Sequence, residues 1–380
     1  MQPPAWLRCS PKPEMDALIQ VASPEIGDEE KRAVLEVMDS GHLAQGPVVE
    51  EFEREFAAWC GVKHAIAVNS GTAALHLLML AHRIQEDDEV ITPAFTFVAS
   101  ANAARFVGAR PAFVDIESET YCIDPAKVEA AITPKTRVLL AVDLYGHPAA
   151  IPALDQIARR HGLVLIEDAC QAHGAAIGER KTGALGATAT FSFYPTKNMT
   201  TAEGGMVTTS DDGIASAVRA LRQHGASERY HHEVLGYNFR MTDIAAAIGR
   251  AQLAKLERLN EARRRNASVL DEGLAGTPGV VVPRERAGCR HVYHQYTIAI
   301  AGDRQRFQRR LTERGIGTAI HYEVPVHRQP LYAAMGYGRV SLPATEAAAA
   351  TVLSLPVHPR LSDGDLDRIV EGVREAAVAA

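Results

Sequence analysis

From about residue 25 to residue 210, amphipathic stretches of helical period alternate with short runs rich in Val, Ile, Leu and Phe. That alternation predicts a sheet with crossover helices. Residues 27–40 and 48–59 place apolar side chains at helical spacing, and residues 63–68 read as a strand that enters Asn69-Ser70-Gly71-Thr72 and then a helix over 73–81. Further strands are predicted over 89–92, 111–115, 138–142 and 163–167. Several are apolar at successive positions, as strands covered on both faces of a mainly parallel sheet must be. Residues 243–264 carry a long helical pattern, after which the pattern changes to mixed helix and strand, with strands near 292–299 and 316–320 and an alanine-rich helix over 344–350. The expected architecture is therefore α/β. A large, mainly parallel sheet domain spans residues 16–260, a smaller α+β domain spans 261–380, and residues 1–15 form an extended or disordered arm.

Composition narrows the function. A chain of 380 residues with 47% hydrophobic and 23% charged content can bury a large core without a metal or disulfide staple. A formal net charge of −6 argues against a nucleic-acid footprint and for small-molecule ligands. Cys9, Cys60, Cys122, Cys170 and Cys289 are scattered and never spaced as CxxC, which indicates neither a zinc site nor a disulfide framework and suits a reducing cytoplasm. The proline-rich opening has no apolar h-region, and no run approaches the ~18 apolar residues of a membrane helix.

Three segments bear candidate chemistry. Asn69-Ser70-Gly71-Thr72-Ala73 stands between strand and helix, where free N–H groups and the positive end of the helix dipole can hold a phosphate; an ordinary capped turn looks the same. Glu167 and Asp168 end a buried strand, the edge at which open α/β sheets bind ligands. A carboxylate buried there needs a cationic partner, and a protonated pyridine nitrogen or any Arg or Lys would serve. Lys197 follows the apolar run Ala189-Thr190-Phe191-Ser192-Phe193-Tyr194-Pro195-Thr196 and precedes a Gly204-Gly205 pair. Burial in such a loop lowers a lysine pKa and makes a Schiff-base nucleophile, whereas a solvated lysine would be inert.

The ordered set NSGTAAL, TPAFTFVASANA, VDLYGH, IEDACQAHGA, FSFYPTKNMTTAEGG, YNFRMTDIAAA and HYEVPVHRQPLY resembles the DegT/DnrJ/EryC1/StrS family of sugar aminotransferases, from about residue 20 to the C-terminus. The resemblance implies fold type I of the pyridoxal-phosphate enzymes, with pyridoxamine phosphate formed during turnover. It implies that Lys197 carries the cofactor, Asp168 faces the pyridinium nitrogen, Gln171 lies beside the ring and Phe97 stacks on it. Thr72, Ala73 and Ser192 would hold the phosphate together with Asn238 supplied by the other subunit of a homodimer with shared active sites. Arg240 would take the donor carboxylate, and His321 and Tyr322 would reach the partner's sugar site. Glutamate is the expected amino donor and a nucleotide-linked keto-sugar the acceptor. Residues 200–205 are similar to the ending of members that aminate C4, which implies a 4-keto-6-deoxyhexose, with a 3-keto-sugar as the alternative. Glu86-Asp87-Asp88 departs from a usual Pro-Gly turn, Cys170 from a usual Ala and Arg328 from a usual aliphatic residue; Arg328 is expected to touch the substrate. Two rivals remain: a dehydratase of the pyridoxamine form, which carries His where Lys197 stands, and a regulator, which would need a DNA-binding helix-turn-helix or a basic face.

Overall fold

The structure, a computed structural model, describes residues 18–228 and 230–378; the expected arm over residues 1–15 lies outside them. Seven strands form the principal sheet: β1 (His64–Val68), β2 (Glu89–Pro93), β3 (Arg110–Val114), β4 (Thr136–Val142), β5 (Val164–Asp168), β6 (Thr188–Ser192) and β7 (Gly205–Thr209). Their order is β1-β7-β6-β5-β4-β2-β3. The pairs from β3 through β6 are parallel, and β7 runs antiparallel to both β6 and β1.

Strand periodicity distributes the core. Val138 and Leu140 of β4 face helices α3 (Gly71–Ala81) and α6 (Asp212–Arg222) through Leu75, Leu78, Ala215 and Val218. Leu139 and Ala141 face α5 (Ile151–His161) through Leu154 and Ile157. Burial on both faces explains why the pattern of these strands is continuous rather than alternating. Helices α1 (Asp28–Ser40), α2 (Pro47–Cys60) and α4 (Val98–Phe106) complete this part, with Phe52 and Phe56 of α2 packed on Phe191, Phe193 and Met206.

Helix α7 (Asp243–Leu274) starts at Thr242, whose hydroxyl accepts from Ala245 N–H at 3.1 Å, and runs ten residues beyond the expected end. Buried positions continue through Ala267, Leu270 and Leu274, so the helical stripe does not stop at Arg264. The helix passes residue 260, the expected boundary, without a break. Its first half packs on α2 through Leu253 and Leu256, and its second half joins a second core with β9 (Tyr296–Ile300), β10 (Val352–Leu355) and α8 (Asp363–Val378). With β8 (Val280–Val281), these strands form an antiparallel sheet in the order β8-β9-β10. Among the described residues no helix is long and apolar enough to cross a membrane.

Two strand expectations change. Over 292–299 the ladder starts at Tyr296, because Val292 and Gln295 donate instead to the carbonyls of Gly146 and Tyr145 at 3.0 and 3.2 Å. Over 316–320 the chain makes only isolated bridges, Ile316 with Ile19 and Ala319 with Ser354, because it crosses between two partners and stays on neither long enough to form a ladder.

The junction of β7 with the β1–α3 turn tolerates no side chain. A Cβ on Gly205 would lie 2.5 Å from the backbone carbon and oxygen of Ser70 and 2.7 Å from Gly71 N. Gly205→Ala should destabilise by about 2 kcal/mol or more, since backbone on both sides must shift. Gly364→Ala, whose Cβ meets nothing nearer than 3.9 Å, should stay within about 0.5 kcal/mol of the parent. Thermal denaturation of the two variants checks the contrast.

Candidate active site

The carboxyl ends of β5 and β6, the turn before α3 and the segment around His321 enclose a cavity of about 500 Å³. Lys197 enters it from the loop after β6. That loop is held in several places: Phe193 N–H donates to Gly204 O at 2.9 Å, Thr200 Oγ1 to Phe193 O at 2.8 Å and Lys197 N–H to Tyr194 O at 2.9 Å. Asn198, buried, donates from Nδ2 to Asn260 Oδ1 on α7 and to Val292 O, at 2.8 and 2.9 Å. Loss of solvent around the Lys197 amine pushes its pKa below the ordinary lysine value, against the attraction of Cys170 and Asp168. The amine is thereby shifted toward its uncharged, nucleophilic form.

Asp168 ends β5 at 5% exposure. Ser100 Oγ donates to its Oδ2 at 2.7 Å, and Cys170 N–H to its Oδ1 at 3.2 Å. Among the described residues no Lys, Arg or His forms an ion pair with it within 4.0 Å. A buried carboxylate without a cation is costly, so this site is built to receive one.

At the other end Ser70, Gly71, Thr72 and Ser192 surround the N-terminus of α3. A Cβ on Gly71 would lie 2.8 Å from Ser192 Cβ and 3.0 Å from Cys170 Sγ, so glycine keeps this anion cradle open. The Ala73 N–H is already taken by Ser70 Oγ at 3.1 Å, and Ala73 is not part of the lining. Phe97, half-exposed at 54%, lines the cavity next to Tyr322, with ring centroids 6.2 Å apart. Gln171 is fixed at both ends of its amide: Oε1 accepts from Tyr145 N–H at 2.9 Å and Nε2 donates to the Tyr322 hydroxyl at 3.1 Å. Tyr145 donates its hydroxyl to His321 O, and His321 Nδ1 lies 3.1 Å from Ser354 Oγ. Burial pushes the His321 imidazole down to about 4, so it is neutral near pH 7.

Several expectations move. His321 and Tyr322, expected to reach a partner's site, line the cavity of their own chain, where Tyr322 is held by Gln171. Asn238 and Arg240 lie outside the cavity lining, on a segment that bridges Gln223 and Val68 at the β1 edge. Arg328 does not touch the cavity: its guanidinium pairs with Glu346 at 2.7 Å. Thr96, Ser100, His294 and Gln295 line the cavity without having been singled out from the sequence. The hydroxyls of Thr96 and Ser100 are four residues apart at the start of α4, a spacing that could have drawn attention to them. His294 and Gln295 carry no such signal.

The arrangement offers an amine shifted toward neutrality, an anion cradle, a carboxylate lacking a cation and an exposed aromatic face. The DegT/DnrJ/EryC1/StrS aminotransferase family matches residues 24–374. The chain belongs to that family. The pleiotropic regulatory protein of Geobacillus stearothermophilus is 43% identical over 92% of this chain and 95% of that protein. The dTDP-3-amino-3,4,6-trideoxy-alpha-D-glucose transaminase of Streptomyces venezuelae is 42% identical over 94% of this chain and 95% of that one. Among solved structures, S. venezuelae DesV in complex with a ketimine intermediate superposes with a TM-score of 0.90 at 43% identity, over 92% of this chain and 94% of that one. NtdA of Bacillus subtilis, with bound cofactor PMP, gives 0.87 at 32% identity over 93% and 83%. The family's aminotransferases use pyridoxal phosphate, and the architecture is the expected fold type I. The cavity fits that cofactor on its own evidence: the cradle takes a phosphate, Asp168 lacks the cation a pyridinium nitrogen would supply, and Lys197 lies between.

The lowered Lys197 pKa gives a direct check. At a pH below the ordinary lysine value a larger fraction of Lys197 is uncharged than of a lysine at that ordinary value. Reductive methylation of the cofactor-free protein with a small aldehyde should therefore label Lys197 faster near neutral pH than a free lysine peptide of ordinary pKa, and raising the pH should erase the difference. Peptide mass spectrometry reads the order.

Proposed function

We propose that this protein transfers an amino group from an amino acid, L-glutamate, to a keto-sugar carried on a nucleotide, with Lys197 holding the cofactor. The observation that carries the reading is the convergence of the Lys197 amine, the cation-free Asp168 and the α3 N-terminus on one cavity. When bound, pyridoxal phosphate supplies an electron sink and carries the amino group between the two substrates. Asp168 provides the negative charge that keeps the ring nitrogen protonated. Ser70, Gly71, Thr72 and Ser192 offer donors to the phosphate, and Gln171 is oriented toward the ring by Tyr145 and Tyr322. The freed Lys197 amine removes a proton from the donor carbon and returns it on the far side of the exchange, acting as base and then acid. The position of Asn238 and Arg240 outside their own cavity supports a homodimer in which Asn238 completes the partner's phosphate site and Arg240 meets the donor carboxylate. A reducing cytoplasm suits a free thiol at Cys170 beside the lysine.

Nucleotide-sugar substrates are supported by the transaminase relative from S. venezuelae. Residues 200–205 support C4 of a 4-keto-6-deoxyhexose, and Glu203 lines the cavity, where it can limit how deeply a hexose enters. A displacement of about 1 Å can cost ~10²-fold in rate, so this loop can select the carbon. The same relative carries a 3-amino position in its name and so favours the second reading, C3. Matched 3-keto and 4-keto nucleotide sugars, with the new C–N bond located by NMR, decide between them; turnover of neither removes the proposal.

Lys197→Ala should remain folded, lose the visible absorbance of the lysine-bound cofactor and lose turnover. Retention of substantial turnover overturns the role of Lys197. Mixing Asn238→Ala with Lys197→Ala should restore activity in hybrid dimers, each with one intact site. Verified hybrids without activity would show that Asn238 serves no partner site.

A further inference from the structure

Asp168 is held by a short relay of hydroxyls that begins one helical turn away. Ser100 sits on α4 at 1% exposure, and its Oγ lies 2.7 Å from Asp168 Oδ2. Thr96, at 2% exposure, places its Oγ1 3.0 Å from Ser100 Oγ. The directions follow from donor counting. A hydroxyl has one proton, and an ionised carboxylate only accepts, so Ser100 spends its proton on Asp168. Thr96 must then be the donor in the Thr96–Ser100 bond. The chain runs Thr96 O–H to Ser100 O–H to Asp168 Oδ2, while Asp168 Oδ1 is held by Cys170 N–H.

Both carboxylate oxygens are thus fixed by neutral donors alone. The ionisable groups that act on this neighbourhood are Lys197 and Cys170 in the cavity, Tyr322 on the opposite wall and Asp143 at the end of β4. Among the described residues none supplies Asp168 with an ion pair within 4.0 Å.

We infer that Ser100, primed by Thr96, is a positioning residue that fixes the Asp168 carboxylate against the cofactor's ring nitrogen. The inference rests on the proposed cofactor reading. The hydrogen bond that Ser100 donates aims the carboxylate charge at the ring nitrogen, and polarisation by Thr96 strengthens that bond. It also removes rotation about the Asp168 side chain, so the acceptor is in place before the cofactor arrives. Without Ser100 the carboxylate turns more freely, and its charge is no longer held against the ring nitrogen. The ring nitrogen then keeps its proton less well, and the lysine-bound cofactor becomes easier to protonate.

Ser100→Ala, Ser100→Thr and Thr96→Val, each prepared without cofactor and titrated with pyridoxal phosphate, test the relay by two readouts other than turnover. Ser100→Ala should raise the dissociation constant about tenfold or more, the size expected for a hydrogen bond to a charged group. It should also move the titration of the visible band to higher pH, with the melting temperature of the cofactor-free protein little changed. Ser100→Thr keeps the hydroxyl and should stay close to the parent in both readouts, and Thr96→Val should shift both in the direction of Ser100→Ala by less. Parent-like affinity and titration in Ser100→Ala overturn the inference, as does a Ser100→Thr protein as impaired as Ser100→Ala, which would mean that only packing on α4 matters. If Ser100→Ala does not fold, Thr96→Val decides, and parent behaviour in that variant overturns the relay. A parent protein that takes up no pyridoxal phosphate overturns the cofactor reading itself, a result distinct from a failure confined to the variants.

Discussion

The register between β5 and β6 is the constraint on which the site depends. Asp168 pairs with Thr190, and Ala169 N–H continues the ladder to Thr190 O at 2.9 Å. Side chains on a strand alternate between faces, so a slip of one residue would send Asp168 to the opposite side of the sheet and reverse every buried position of β5. That register is enforced from outside the site: Leu165 packs on the α5 face and Ile166 on the α3 face, and neither could exchange places without exposing apolar surface. From the same two strands the chain continues into Gln171 on one side and the Lys197 loop on the other. The distance between amine and carboxylate is therefore set by sheet geometry rather than by any contact between them.

Two further carboxyl groups stand beside Asp168 at this edge of the sheet. Asp143 and Glu167 are both fully buried, and each leaves one carboxyl oxygen, Asp143 Oδ2 and Glu167 Oε1, without a hydrogen-bond partner. Burial and repulsion from Glu167 push Asp143 well above the ordinary carboxylate range, and burial pushes Glu167 up to about 7. Ala149 N–H donates to Asp143 and Gly183 N–H to Glu167, at 2.8 and 2.9 Å. Of the three carboxyl groups at this edge of the sheet, Asp168 alone lines the cavity.

Much of this was legible from the chain. Continuous apolar runs named the buried strands, the strand-to-helix turn at residues 69–72 named the cradle, and the apolar run ending at Lys197 named the nucleophile. What escaped depended on contacts distant in sequence. The segment over 316–320 looks like a strand because Ile316 and Ile320 suit one, yet its backbone is divided between Ile19 and Ser354. Arg328 looked available to a ligand until Glu346 was seen beside it. Ser100 reads as a helix residue of no note, since nothing local reveals that Asp168, 68 residues on, lies within a hydrogen bond of it. His321 and Tyr322 were matched to a substrate site, and that they also line the cavity of their own chain was not legible, because a motif does not say which copy of the chain it faces.

The ties of Gln171 to Tyr322 and of Tyr145 to His321 span 151 and 176 residues, and Ser354 holds His321 from farther along. A wall of the cavity is thus synthesised after the strands that carry the lysine and the cradle. While translation proceeds, the lysine and the cradle already exist on the emerging sheet, but the side that closes over them is still inside the ribosome. Capture of a cofactor in its final pose becomes a late event in the life of each molecule, and a chain cut short before His321 would carry its reactive lysine with no wall to enclose it.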